Sequence, residues 1–370
     1  FSNGLEKCPK LRFPGFDEPW KICKAESLFR NITDKKHPDD TVLTIVQGKG
    51  TLPRDKSGRN IHYDNASLSN YKRVKKGDYI IHLRSFEGGL EMAHETGIVS
   101  PAYTILRCSK PHSSLFYEAY FHTDEFINHV LSKAVEGIRD GRQISYDAFK
   151  WLGIPYCAAA EQEKISALFD MLNRRIETQE QIVNALKKYK RGFTKLVFEK
   201  LMSKAVLQIP LSDLCISISS GRTTSPDNNG SYPLFGSTGI VGSTNNIEFD
   251  GDIVMVARVG ANAGKVNFYS GRCGVTDNTL VIRVKEDIVL TKFLAYFLEY
   301  YNLHKLMFGS GQPLVTGSQL KKILFPASTY STQMGVTKRL ETFERFVKAQ
   351  DTYEAKLVML KSALMQQLFI

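Results

Sequence analysis

The 370-residue sequence holds little that performs covalent chemistry. Its six cysteines, Cys8, Cys23, Cys108, Cys157, Cys215 and Cys273, form no CxxC pair and have no histidine at ligand spacing. That pattern argues against structural zinc, and against a disulfide framework. No GxGxxG follows a strand-like run, and no Asn-Pro-Pro or Asp-Pro-Pro tetrad of an amino-methyltransferase occurs. The stretch 259–266 resembles a phosphate loop, but its first glycine is displaced and Val266 stands where Ser or Thr would bind magnesium. A hairpin between strands is expected there. Glu354-Ala355-Lys356 matches the end of a nuclease motif without an upstream acidic partner, and His112, His122 and His129 lack a companion nucleophile. Apolar runs are too short to span a membrane, and no basic region followed by an apolar core opens the chain. A cytoplasmic protein with no membrane partner is expected, and the start at Phe1 suggests that the original beginning has been trimmed. Such a chain reads as one that positions other molecules, with no catalytic residue and no metal site of its own.

What the sequence does contain is itself, twice. Residues 142–198 return as 313–369, and Pro155 and Pro326 set the offset at 326 − 155 = 171. That offset superimposes Gln162 on Gln333, Arg174 on Arg345, Leu186 on Leu357, Lys190 on Lys361 and Phe198 on Phe369. Within the first copy, Ile165, Phe169, Leu172, Ile176, Gln179, Val183, Leu186, Lys190, Phe193 and Val197 follow alternating steps of four and three. The second copy repeats the pattern through Val336, Leu340, Phe343, Val347, Gln350, Leu357, Leu364 and Leu368, with Glu354 and Lys361 as polar members. A seam of this kind buries an apolar stripe against another helix, and polar residues within it fix register at some cost in stability. The two helices are therefore expected to pair with each other, antiparallel, in a pseudo-twofold chain. About 40 helical residues would extend roughly 60 Å, a spacer between two heads.

The heads repeat as well. Gly77-Asp78 and Gly251-Asp252 each lead into an apolar strand, 79–83 and 253–256, and a second strand follows at 102–107 and 279–284. Helices are expected over 115–134 and 290–307, and strands ending at Pro155 and Pro326 close the heads. The formal charge of +11 suggests a polyanionic partner. Lys49, Arg54, Lys56, Arg59, Lys72, Arg73, Lys75, Lys76 and Arg84 concentrate in a loop-rich region against only Asp55, Asp64 and Asp78. A second basic cluster, 187–204, ends the first long helix, where positive charge complements the helix dipole. In the second head, 217–246 is rich in Ser, Thr, Asn and Gly, which suit hydrogen bonds to base edges and phosphates. Arg258, Asn262, Lys265, Arg272 and Asn278 could complete that surface.

Pro9-Lys10-Leu11-Arg12-Phe13-Pro14-Gly15-Phe16 ahead of Trp20, residues 71–78 (YKRVKKGD), Ser100-Pro101-Ala102-Tyr103, and 162–192 resemble the specificity subunits of type I restriction-modification systems over essentially the whole chain. The fold that the resemblance implies is α+β, with two globular mixed α/β target-recognition domains separated by two long antiparallel coiled-coil helices. The expected segments are a first target-recognition domain over 1–156, a helical spacer over 157–204, a second domain over 205–327 and a second spacer over 328–370. Each head of such a subunit would read half of an interrupted site on double-stranded DNA. The helices would set the gap and dock two modification subunits, methyltransferases that use S-adenosylmethionine. Restriction subunits, translocases using ATP and Mg, would join that core. DNA contact is expected from Lys49, Arg54, Arg59, Arg84 and Arg142 in the first head, and from Arg222, Ser237, Thr238, Arg258, Asn262, Lys265 and Gln312 in the second. Arg174, Glu177 and Glu180, outside the seam, are candidates for a partner interface. The rival reading is a two-headed coiled-coil scaffold that joins proteins without DNA.

Overall fold

The computed structural model describes residues 6–56, 65–82, 88–137, 143–224, 226–227, 229–307 and 313–369. By contacts the chain forms two units, Phe1–Glu180 with Tyr353–Ile370, and Gln181–Thr352. Each holds one head together with part of each long helix.

The first unit opens with β1 (Glu6–Lys7), β2 (Trp20–Lys24), the single turn α1 (Ala25–Leu28) and β3 (Phe29–Ile32). A hairpin follows, β4 (Leu43–Val46) and β5 (Gly50–Pro53), then β6 (Lys72–Val74), β7 (Tyr79–Ile81), β8 (Glu91–Met92), β9 (Gly97–Val99) and β10 (Thr104–Cys108). Next come α2 (Ser114–Phe121), α3 (Tyr146–Phe149) and β11 (Gly153–Tyr156), which lead into α4 (Ala159–Lys204). The main sheet has the order β3-β10-β7-β8, and β2 lies between β1 and β11. Alternation along β7 explains its uninterrupted apolar sequence: Tyr79 and Ile81 join the aromatic core of Trp20, Phe29, Phe116 and Phe121, while Ile80 joins Leu43, Ile45, Val74 and Ile105. Arg12 fastens the N-terminal segment to α4, since its guanidinium donates twice to Glu161, at 2.9 and 2.8 Å. The Trp20 indole N–H completes that carboxylate's shell at 3.0 Å.

The second unit contains β12 (Gln208–Pro210), α5 (Leu211–Leu214), β13 (Cys215–Ser220), the hairpin β14 (Tyr232–Gly236) and β15 (Gly239–Thr244), β16 (Asp252–Ala257), β17 (Val266–Ser270), β18 (Gly274–Val275) and β19 (Thr279–Val284). It closes with α6 (Thr291–Tyr301), α7 (Gly317–Lys321), β20 (Leu324–Pro326) and α8 (Tyr330–Phe369). Its main sheet, β13-β19-β16-β17, repeats the order of the first. The same alternation recurs, with Val254 and Val256 in one core and Ile253 and Met255 in the other. Gly77 (φ 90°) and Gly251 (φ 101°) take the left-handed conformation just before the central strands, which a residue with a Cβ adopts only with strain.

Side chains at the 171 offset do the same work in each unit. Gln162 accepts from the Ser113 N–H at 3.1 Å and donates to the Cys157 carbonyl at 2.9 Å. Gln333 accepts from the Leu290 N–H at 2.9 Å and donates to the Ser328 carbonyl at 3.1 Å. Ser113 and Leu290 are the residues that cap α2 and α6, so one buried glutamine per repeat fixes a helix start. Phe369 packs on Phe116 and Tyr120 at ring distances of 5.2 and 5.6 Å, as Phe198 packs on Phe293 and Phe297 at 5.2 and 5.7 Å.

The seam lies where the heptads put it. In the first unit Ile165, Phe169, Gln179 and Leu357 are buried, and Leu172, Ile176 and Leu364 half-buried. In the second, Val183 and Leu340 are buried, and Leu186, Val336, Phe343, Val347 and Gln350 half-buried. α4 and α8 run antiparallel within each unit. Phe169 stacks on Phe369 at 6.0 Å and Arg175 reaches Tyr353 at 3.3 Å in the first, while Lys187 meets Asp351 at 2.9 Å and Phe193 meets Phe343 at 5.4 Å in the second. Lys190, a polar member of the seam, bonds Glu344 at 2.7 Å, and Glu344 also accepts from the Tyr296 hydroxyl at 2.7 Å.

Two expected helices are shorter than their apolar patterns. α2 stops at Phe121 because Thr123 intervenes, its hydroxyl donating to Tyr120 O at 2.7 Å and accepting from the Phe126 N–H at 3.1 Å. A π-helical turn, Glu125–Val130, and a 3-10 turn, Leu131–Ala134, then carry the remaining apolar residues. α6 stops at Tyr301 because Asn302 adopts φ 57°, and the 3-10 turn Leu303–Leu306 follows. Among the described residues no helix is long and apolar enough to cross a membrane.

Candidate nucleic-acid interface

In the second unit one edge of the main sheet gathers loops from four strands, because Ser220 pairs with Leu280, Ala257 with Thr279 and Val256 with Val266. Loops 221–224, 258–265 and 276–278 leave from that edge. The β14–β15 turn joins them through the Thr276 N–H, which donates to Phe235 O at 2.8 Å. Arg222, Ser237, Thr238, Arg258, Asn262 and Lys265 therefore share one end of the unit; Arg222, Thr238 and Lys265 are exposed and the other three half-buried. Asn278 belongs to the same end, its carbonyl accepting from the Arg258 N–H at 2.9 Å. Arg272 does not. It sits at the opposite edge, where the Gly271 N–H bonds Gly251 O, and pairs with Asp250 at 3.1 Å. Sequence proximity placed it with the surface, but the reversal of β17 carries it away. Gln312 lies outside the described residues.

The 258–265 segment is a hairpin connection. Its amides bond internally, Ala263 to Gly260 O, Gly264 to Ala257 O and Lys265 to Asn262 O, so they are not free to cradle a phosphate. Glu248, half-buried and not singled out in the sequence, fixes the neighbouring loop: one of its oxygens accepts from the Arg222 N–H at 3.0 Å and the Thr223 hydroxyl at 3.1 Å.

The first unit repeats the edge, with Thr104 opposite Ile81 and Ile105 opposite Ile32. Lys49 is exposed on the tight turn between β4 and β5, where Val46 pairs with Gly50. The turn is held by Glu91, fully buried at the start of β8, whose oxygens accept from the Gly48 N–H at 2.7 Å and the Gly50 N–H at 2.9 Å. Arg54 lies at the other end of the hairpin, half-buried, with its Nε donating to Thr44 Oγ1 at 3.3 Å. The hairpin register thus separates Arg54 from Lys49, which sequence reading had grouped. Arg59, Arg84 and Arg142 lie outside the described residues.

Much of the basic stretch is neutralised within the fold. Arg73 pairs with Asp40 at 2.8 Å, Lys72 donates to Tyr103 O at 2.7 Å, and Arg107 donates twice to Asp78 at 2.7 and 2.6 Å. Burial also pushes the Lys72 ammonium below its ordinary pKa. Around Glu91 the histidines divide. Burial favours the protonated carboxyl, but bonds from His122 and the two glycine amides outweigh it and hold Glu91 below the usual carboxylate range. Burial lowers His122, yet the partnership with Glu91 at 3.4 Å leaves it raised. His94 is raised by its bond to Glu118, and His82 is lowered by burial.

On the second unit's part of α4, Ile182, Tyr189 and Leu196 recur every seven residues and remain 42%, 63% and 64% exposed, a second apolar stripe outside the seam. Arg174 is exposed and pairs with Asp170 at 2.9 Å.

Residues 208–357 match the family model of the type I restriction modification DNA specificity domain. Among solved structures, the chain is similar to the crystal structure of the type-I restriction-modification system S subunit from M. genitalium, with TM-score 0.64 and 14% identity over 98% of this chain and 99% of that one. It is similar to a chain from a structure on complex assembly and conformational transition of the type I R-M system, with TM-score 0.60 and 17% identity over 96% and 98%. The HsdS subunit from Thermoanaerobacter tengcongensis matches with TM-score 0.50 and 16% identity over 98% of both chains. No curated protein matches the sequence. Residues 208–357 thus match the type I restriction modification DNA specificity domain in sequence, and the fold of the whole chain is that of the solved S subunits.

Proposed function

We propose that this subunit reads a two-part site on double-stranded DNA, one half with each head, and that α4 and α8 set the number of base pairs between the halves. The observation that carries this reading is the repeated sheet edge. Strand order coincides in the two heads, while the polar side chains exposed or half-buried on their loops differ, Lys49 on the β4–β5 turn of one and Arg222, Thr238, Arg258 and Lys265 at the sheet edge of the other. Equivalent frames with unlike polar surfaces suit unlike half-sites. The chain itself catalyses nothing and binds no cofactor. S-adenosylmethionine serves modification subunits that dock on the helices, for which the stripe of Ile182, Tyr189 and Leu196 is suited, and ATP and Mg serve restriction subunits that join them in the cytoplasm.

Co-expression with a modification subunit, followed by genome-wide mapping of adenine methylation, tests the reading. A two-part motif is expected, and exchanging residues 205–327 for those of another specificity subunit should change one half only. Stable association of the two proteins with no methylated adenine would instead support a scaffold without DNA recognition.

A further inference from the structure

We infer that Glu91 is a positioning residue, which holds the β4–β5 turn so that Lys49 meets a DNA phosphate. The inference rests on the reading of the first head as a DNA surface. Glu91 is 0% exposed, and its two oxygens take the two amides that flank Lys49. The Lys49 N–H itself donates to Val46 O at 2.9 Å, so three consecutive amides of the turn are engaged while the lysine side chain remains exposed. Gly48 and Gly50 adopt φ 72° and 70°, and a Cβ at residue 50 would overlap the His94 ring and the Met92 carbonyl. The turn is thus confined from both sides. His122 sits 3.4 Å from the carboxylate and, when protonated, supplies counter-charge within the head, which offsets the repulsion between Glu91 and a polyanion. In the second head a carboxylate also holds a loop, since one oxygen of Glu248 accepts from the Arg222 amide and the Thr223 hydroxyl.

A carboxylate offers two acceptors; glutamine would offer one, and set its NH2 against the other amide. The full-length chain is titrated with a fluorescein-labelled random-sequence duplex over about 50 to 200 mM salt. Lys49→Ala is expected to reduce the slope of log Kd against log salt by about 0.9, the share of one phosphate contact. Glu91→Gln is expected to reduce it equally and to weaken binding, whereas mere removal of a negative charge would tighten it. The double variant should match Lys49→Ala alone, because the two residues act through one contact. A wild-type slope in Glu91→Gln, or additive losses, overturns the positioning role while leaving the DNA reading in place. An unaltered Lys49→Ala removes the turn from the DNA surface, and the inference with it. Hydrogen exchange on the unmodified chain gives an independent readout if Glu91→Gln fails to fold. The Gly48 and Gly50 amides should be protected like those of the neighbouring strands, and exchange as fast as an open turn refutes the anchor.

Discussion

Replacing Gln162 with leucine should cost the first unit as much as replacing Gln333 costs the second. Each glutamine is buried, 0% and 1% exposed, and each satisfies one backbone N–H at a helix start and at least one carbonyl. Leucine fills nearly the same volume, so the cavity contribution is small and the loss lies in the stranded polar groups. One buried backbone group without a partner costs about 1 to 3 kcal/mol, and Ser113 N–H with Cys157 O, or Leu290 N–H with Ser328 O, makes two. A loss of about 3 kcal/mol follows if the helix start relaxes partly toward water, which for units of this size lowers Tm by roughly 6 to 12 °C. Differential scanning calorimetry of the full chain measures it. The double variant should lose the sum of the single losses, within about 0.5 kcal/mol, because the two sites share no partner. A shift under about 2 °C in either single variant would refute the capping role, and unequal losses would show that the repeat is one of sequence more than of energetics.

The Glu91 cluster makes a signed prediction about pH. His122 is raised in the folded state, so its contribution is complete below its unfolded pKa of about 6.5 and is lost as pH rises through the folded value. Glu91 is depressed, so its contribution is complete above about 4.3 and is lost as pH falls through its folded value. The Tm difference between the wild type and His122→Gln should therefore shrink as pH is raised from about 6 to about 8; a constant difference refutes the charged pair. The pair of Asp78 and Arg107 predicts an asymmetry, since the aspartate side chain is 3% exposed and the arginine 32%. Arg107→Ala leaves a buried carboxylate with the Lys75 N–H but without its counter-charge, and should cost about 3 kcal/mol in chemical denaturation, more than Asp78→Asn, which leaves an arginine able to reach water.

Regularity was legible and remote pairing was not. Periodic burial leaves its trace residue by residue, so the seam could be read through its polar members Gln179 and Gln350, half-buried or buried where the heptads place them. The offset also revealed that Gln162 and Gln333 correspond, though not that they cap helices, because their partners lie 43 to 49 residues away. The local charge excess misled in the same way: Asp40 neutralises Arg73, and Arg107 is engaged by Asp78, across separations that no local window reports. Turn chemistry decided the remainder, since Thr123 and Asn302 end helices whose apolar patterns continue past them. Glu91 did carry a faint signal, a lone acid between Leu90 and Met92 in a stretch that would otherwise be buried.

The anchors at Glu91 and Glu248 grip main-chain amides, and amides are common to every residue except proline. The geometry of residues 49 and 222 is therefore indifferent to their identity. Mutation can exchange the side chain at either position without dismantling the support beneath it, and selection can test new DNA preferences on a scaffold that has already folded.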